Sequence, residues 1–252
     1  MGDAVLIELR PHVGAALCGA VAALPGWHVY HLHGAPRPAP VCGARQRFLG
    51  AHFPHEYARG LLTHNRTNTG WWKPREWFNR ILTNPRFWEL FDRAYLLLFQ
   101  IDAAFCPRPT YPIGHFLRYA FVGAPWRRTL PQCVGVQSCV GNCGLGLFRR
   151  SVARAALPHY HAQRAVRNFD LFLMQRLQER GVAPERVAST FSIETVLHNR
   201  SVVPFGVHNP YPHLTAAELR TLEATCPPMT RLHNAYHSNL AKHPSRRVRA
   251  NV

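Results

Sequence analysis

"AVLIELRPHVGAALCGAVAALPGWHVYHLH", residues Ala4 to His33, decides the architecture of this chain. Ala4 to Leu9 is a continuous apolar run with one acid, the pattern of a strand buried on both faces. The next stretch sets Val13, Leu17, Val21 and Leu24 on one helical face before Pro25 and Gly26 stop it. Trp27 to His33 then reads as a second strand. Strand, helix and strand so close together form a βαβ unit, which calls for a parallel sheet covered by helices.

Moving outward, Ala35 to Ala44 is a Pro-rich loop, and Arg45 to Phe91 has an aromatic, helical texture. That segment holds Trp71, Trp72, Trp77 and Trp88, expected to serve as packing filler between helices and sheet. "AYLLLFQIDAAFC" (Ala94 to Cys106) supplies a third buried strand at Tyr95 to Phe99, followed at once by Gln100 and Asp102. Arg118 to Trp126 reads as a strand and turn, and "GVQSCVGNCGLGLFRRS" as a glycine-rich loop leading into a short strand at Leu145 to Phe148. Arg164 to Arg180 has helical spacing, "STFSIETVLH" reads as a strand and "VVPFGVHNPYPH" as a turn-rich loop. A last helix begins at its N-cap, Thr215. The expected fold is an α/β domain, Rossmann-like, with a mostly parallel central sheet flanked by helices.

At 252 residues, with 47% hydrophobic and 17% charged residues, the chain is globular and long enough for a substantial core. Thirty Lys and Arg against 13 Asp and Glu give +17, and Lys73 and Lys242 are the only lysines. Biased composition accounts for this as well as function does. The functional reading is an anionic partner: nucleic acid, a pyrophosphate-bearing ligand or an acidic surface. The sequence carries no helix-turn-helix, zinc-finger or RNA-recognition signature, so nucleic acid is disfavoured. Val13 to Leu24 is the longest apolar segment and is too short to span a bilayer. With no secretory start either, a cytoplasmic location is favoured, and the Golgi lumen stays open if the chain belongs to a longer protein. Seven cysteines, an odd number without a CxxC pair, point to free and mostly buried thiols in a reducing compartment. "NRT" at Asn65 and "NRS" at Asn199 match glycosylation sequons, which carry no weight without a secretory signal.

In doubly wound sheets, ligands bind beyond the carboxyl ends of the strands. Glu8 and Arg10, Gln100 and Asp102, and the glycine-rich Asn142 and Gly144 are the polar groups expected there, with His208 in the late loop. Asp102 has three readings: a polar strand terminus, a catalytic acid, or a ligand for a divalent cation that bridges to phosphate oxygens. Asp170, among Phe169, Phe172 and Leu173, is either a solvated helix residue or a functional acid. Glu194, between apolar neighbours, suggests a buried carboxylate paired with an arginine or acting as a base.

In order along the chain, "VLIELRPH", "FQIDAAFC", "YAFVGAPW", "GNCGLGLFRRS", "FDLFL", "FSIE" and "PFGVHNPYP" resemble a family of glycosyltransferase-like domains labelled as of unknown function. The resemblance runs from about Ala4 to Leu214. It implies a GT-A-type fold, with a nucleotide-sugar half to about residue 110 and an acceptor half from about 111 to 214; 215–252 would add C-terminal helices and a basic tail. It further implies a glycosyltransferase that uses Mn²⁺ or Mg²⁺, a nucleotide-sugar donor and a glycan or other hydroxyl acceptor. Asp102 and His208 match the metal-binding positions and Asp170 the general base; Glu194, from its own setting, is the other catalytic candidate. Glu8, Arg10, Gln100, Asp102, Trp126, Asn142 and Gly144 would line the ligand site. Where the family has Thr-Asp-Ser, this chain has Ile101, Asp102 and Ala103; Cys143 replaces a glycine, Phe169 an acid and Asn209 a lysine.

Overall fold

The computed structural model describes residues 1–9, 13–34, 40–58, 73–162 and 168–231. The opening βαβ unit forms as β1 (Asp3–Glu8), α1 (Gly14–Ala23) and β2 (His28–His33). β1 and β2 pair in parallel from Asp3↔His28 to Glu8↔His33. β3 (Arg45–Phe48) continues the sheet outward beside β2. On the other side of β1 lies β4 (Tyr95–Phe99), again parallel, with Leu6 opposite Phe99. Leu96, Leu97, Leu98 and Phe99 are all buried. Each such side chain contributes about 1.5–3 kcal/mol on leaving water, which makes β4 a central strand.

β6 (Phe121–Pro125) and β7 (Val140–Arg149) complete a six-stranded sheet in the order β3-β2-β1-β4-β7-β6. β7 runs antiparallel to both β4 and β6. All the other strands therefore point the same way, so the expected α/β sheet is mixed rather than wholly parallel. α2 (Leu49–His52), α3 (Lys73–Thr83), α4 (Pro85–Glu89), α5 (Arg150–Ala162), α6 (Phe169–Leu177) and α7 (Glu185–Phe191) cover it. Trp77 and Trp88 are buried as filler, with the Trp88 indole donating to the Leu82 carbonyl at 2.8 Å. Trp71 and Trp72 lie outside the described residues.

A second, three-stranded sheet pairs β5 (Ala103–Phe105), β9 (Gly206–His208) and β8 (Ser192–Ile193) in the order β5-β9-β8. A separate apolar cluster packs on it: Ala104, Cys106, Ile193 and Val207 with Leu222 and Cys226 of α8 (Ala216–Thr225) and its cap. α8 opens with Thr215 in a capping box, its hydroxyl and N–H both engaged with Glu218.

Several segments differ from their sequence expectation, each for a physical reason. Arg45–Phe48 is an edge strand, not part of a helical stretch. "VGNCGLGLFR" is one long strand, not a loop and short strand, because its glycines admit rings from other elements and do not mark turns. "STFSIETVLH" begins inside α7, where the Ser189 and Thr190 hydroxyls bond back to the Arg186 and Val187 carbonyls. Gly206–His208 is a strand because its backbone finds a partner in β5, Ala103 lying opposite His208.

The cysteine expectation is overturned. Cys18 pairs with Cys42, Cys106 with Cys226 and Cys133 with Cys139; the one free thiol, Cys143, is buried. The partners are 24, 120 and 6 residues apart, so no spacing rule would have found them.

Candidate active site

β4 ends at Phe99, and the chain turns through Gln100, Ile101 and Asp102 before entering β5. Two backbone bonds hold this turn: Gln100 N–H donates to the Gly144 carbonyl at 2.8 Å, and Ala103 N–H to the Gln100 carbonyl at 3.0 Å. The turn moves the chain from the large sheet to the small one at the carboxyl end of the central strand. There, the pairing of β5 with β9 brings in His208, more than a hundred residues away in sequence.

The His208 ring is 6% exposed and is engaged on both nitrogens. Nδ1 lies 3.2 Å from Glu194 Oε1; Nε2 lies 3.3 Å from Asp102 Oδ1 and 3.1 Å from Gln100 Oε1. Burial by itself lowers the imidazole's proton affinity, but the Asp102 carboxylate and then Glu194 outweigh it, pushing the pKa up to about 10. A protonated His208 is held between two carboxylates, and a cation at Nε2 would take the place of its proton.

Glu194 ties this cluster to β6. Its second oxygen, Oε2, accepts from the Trp126 indole N–H at 3.2 Å. Glycines leave the space these rings occupy. A Cβ on Gly144 would lie 2.2 Å from the His208 ring, and one on Gly141 would lie 2.7 Å from the Trp126 ring. Asn142, buried between them, accepts from Gly144 N–H at 2.8 Å and fixes the strand's local path.

Asp170 stands in the first turn of α6, its N–H bonded to the Asn168 cap at 2.9 Å. It reaches the site through Cys143: burial first, then the charge of and a hydrogen bond with Asp170, and then the charge of Glu194, push that thiol well above its ordinary value. The buried Cys143 thus stays a neutral thiol. Glu8 sits at the same carboxyl edge, at the end of β1 and opposite His33. Arg10 lies outside the described residues.

The structure therefore brings Gln100, Asp102, Trp126, Glu194 and His208 into one hydrogen-bonded group, places Asn142 and Gly144 against it, and connects Asp170 to it through Cys143. Sequence reasoning missed Cys143 as the link and gave no sign that Glu194 faces His208 and Trp126. It also missed a neighbouring polar group at the ends of β1 to β3, where His31 contacts Gln46 Oε1 at 3.0 Å and the Glu8 carbonyl at 3.3 Å. Burial lowers the His31 pKa, which favours the neutral ring. The polar residues in "HVYHLH" were the only available signal.

The donor set suits a divalent cation in kind: a carboxylate, an imidazole and an amide oxygen converge, and a second carboxylate holds the imidazole's other nitrogen, as is usual behind a metal-bound histidine. Among the described residues, no group of three or more His, Cys, Asp or Glu side chains is arranged to hold a metal ion. A cation here would complete its shell from a ligand's oxygens.

Residues 62–208 match the model of a family described as "Protein of unknown function (DUF5672)". No curated protein matches the sequence. Among solved structures, the apo-form glycosyltransferase GlyE of Streptococcus pneumoniae TIGR4 is similar at 10% identity and a TM-score of 0.45, over 94% of this chain and 63% of that one. A second GlyE structure gives 12% identity, a TM-score of 0.42 and the same coverage. Apo mouse xyloside xylosyltransferase 1 gives 9% identity and 0.46, over 84% of this chain and 99% of that one. The chain thus spans less than two thirds of the GlyE chains it matches.

Proposed function

The chain belongs to the family described as "Protein of unknown function (DUF5672)", and we propose that it is a metal-dependent glycosyltransferase, moving a sugar from a nucleotide-sugar donor to an acceptor hydroxyl. One observation carries the reading. Asp102, Gln100 and His208 converge at the carboxyl edge of the central strand, where open α/β sheets bind their ligands.

On this reading Asp102 and His208 hold Mn²⁺ or Mg²⁺, with Gln100 beside them. The bound cation would neutralise charge developing on the departing nucleoside diphosphate. Glu194 orients: one oxygen holds His208 Nδ1, which turns Nε2 toward Asp102, and the other fixes the Trp126 indole. Held on both oxygens, Glu194 serves as a positioning group. Asp170 therefore takes the role of base, removing the acceptor hydroxyl's proton as the oxygen attacks the anomeric carbon. The arginine-rich surface favours a donor that carries a pyrophosphate.

The test is nucleotide release from a panel of nucleotide sugars, measured with and without Mn²⁺. Metal-dependent release by the wild type, lost in Asp102→Asn, supports the proposal. Donor binding without any turnover would identify a non-catalytic sugar-nucleotide binder. No metal-dependent binding or release for any donor, with Asp102→Asn indistinguishable from wild type, overturns both.

A further inference from the structure

Six of the seven cysteines face a partner, across sequence separations of 24, 120 and 6 residues. Cys18 on α1 reaches Cys42 ahead of β3; Cys106, just after β5, reaches the cap of α8 at Cys226; Cys133 and Cys139 close the connection between β6 and β7. Their Cα separations are 5.2, 4.6 and 5.2 Å, inside the range a disulfide can bridge. Disulfides of this structural kind persist in oxidising compartments and are rare where glutathione and thioredoxin keep thiols reduced.

In an oxidising secretory compartment the triplet Asn199-Arg200-Ser201 has a chemical meaning it lacks elsewhere. His198 to Ser201 are exposed, on the connection between β8 and β9. Both flanks of that connection are pinned. Thr195 carbonyl accepts from Arg127 Nε at 3.0 Å, while Val203 and Thr110 exchange bonds at 3.0 Å in both directions. At the tip, Asn199 Oδ1 accepts from Ser201 N–H at 2.9 Å. The turn therefore uses the amide oxygen and not Nδ2, the atom that would bear a sugar.

We propose that this protein folds in an oxidising secretory compartment and carries an N-linked oligosaccharide on Asn199. The inference stands apart from the transferase reading and fails or holds independently of it. The co-reactant is an oligosaccharide joined to a polyisoprenyl pyrophosphate. Asn199 Nδ2 forms a bond to the anomeric carbon of its first sugar, the carbon–oxygen bond to pyrophosphate breaks, the lipid pyrophosphate departs and Nδ2 loses one proton. Each cysteine bridge forms as two thiols yield two protons and two electrons to a disulfide-bearing oxidoreductase, which leaves as the dithiol. Asn65, the other sequon asparagine, lies outside the described residues.

The experiment uses protein immunopurified from the cells that make it. Unfolded without reductant and treated with a maleimide, the chain is expected to label at Cys143 alone, and at all seven cysteines after reduction. An N-glycosidase that hydrolyses the glycosyl-amide should convert Asn199 to Asp in the peptide spectrum, with a loss of mass from the intact chain. In the same cells, Asn199→Gln and Ser201→Ala should each abolish that conversion, and Ser201→Thr should retain it. Seven labelled cysteines without reductant, or an Asn199 peptide that carries no sugar, overturns the proposal.

Discussion

At the scale of single residues, the site depends on what Gly144 lacks. The His208 ring occupies the place of its missing side chain, so Gly144→Ala forces the imidazole away from Asp102 and Gln100. On the proposed function this displacement costs about 10²-fold in turnover, the usual consequence of moving a site group by roughly an ångström. The far-ultraviolet circular dichroism of the variant should match the wild type, which separates displacement from unfolding. Glu194→Gln tests orientation. It keeps an acceptor for the Trp126 indole but weakens the hold on His208 Nδ1, and Mn²⁺ affinity should fall by about 10–100-fold. An equilibrium dialysis measurement reads that directly, without recourse to turnover.

At the scale of elements, α8 offers a test that leaves the site untouched. Thr215→Ala removes the capping side chain and should destabilise the fold by about 1 kcal/mol in urea titration at neutral pH. The partner acid gives this contribution a pH dependence. Thr215 N–H and hydroxyl hold the Glu218 carboxyl below its ordinary value, so the unfolded chain binds the proton more tightly than the folded one. The stabilisation is therefore present above the unfolded value, near 4.5, and lost as pH falls through the lower folded value. The stability gap between wild type and Glu218→Ala should accordingly shrink below about pH 4.5 and stay constant from 6 to 8.

The same scale shows what a single sequence can and cannot reveal. β1, α1, β2 and β4 were legible because buried parallel strands and a one-sided helix write themselves as apolar runs and spacings. β7 and β9 were not. Glycine and proline ordinarily punctuate loops, whereas here Gly144 and Gly141 make room for His208 and Trp126, and Gly206 begins a strand. Asp102 stood out as an acid at the end of an apolar run, and its match to a family motif pointed to a metal. Its meeting with His208 depends on β5 pairing with β9, a long-range contact that composition and periodicity do not encode. Cys143 was visible only as a departure from that motif, and its bond with Asp170 needs the packing of α6 on β7 to exist.

At the scale of the whole molecule, the long cross-link between Cys106 and Cys226 ties α8 to the small sheet. Its 120-residue separation makes it the strongest constraint on the unfolded chain, on the order of 4–5 kcal/mol in the loop-entropy account. The double variant Cys106→Ala with Cys226→Ala should lose several kcal/mol in denaturant unfolding, and the pair replacing Cys133 and Cys139 distinctly less, since only 6 residues separate those two. Equal losses from the two variants would refute a loop-length origin. The cross-link also anchors α8 beside β5 and β9, the strands that bring Asp102 and His208 together, so its removal should loosen the site as well as the fold.

The central claim is that Asp102 and His208 form a cation site for a nucleoside diphosphate. Calorimetric titration of a nucleoside diphosphate panel into the protein, with and without Mn²⁺, tests it most directly when wild type is run beside Asp102→Asn and His208→Ala. The account predicts that at least one nucleoside diphosphate binds the wild type only with Mn²⁺ present, and that each substitution abolishes this dependence. Binding that ignores both the metal and the two substitutions, or no binding by any member of the panel, would contradict it.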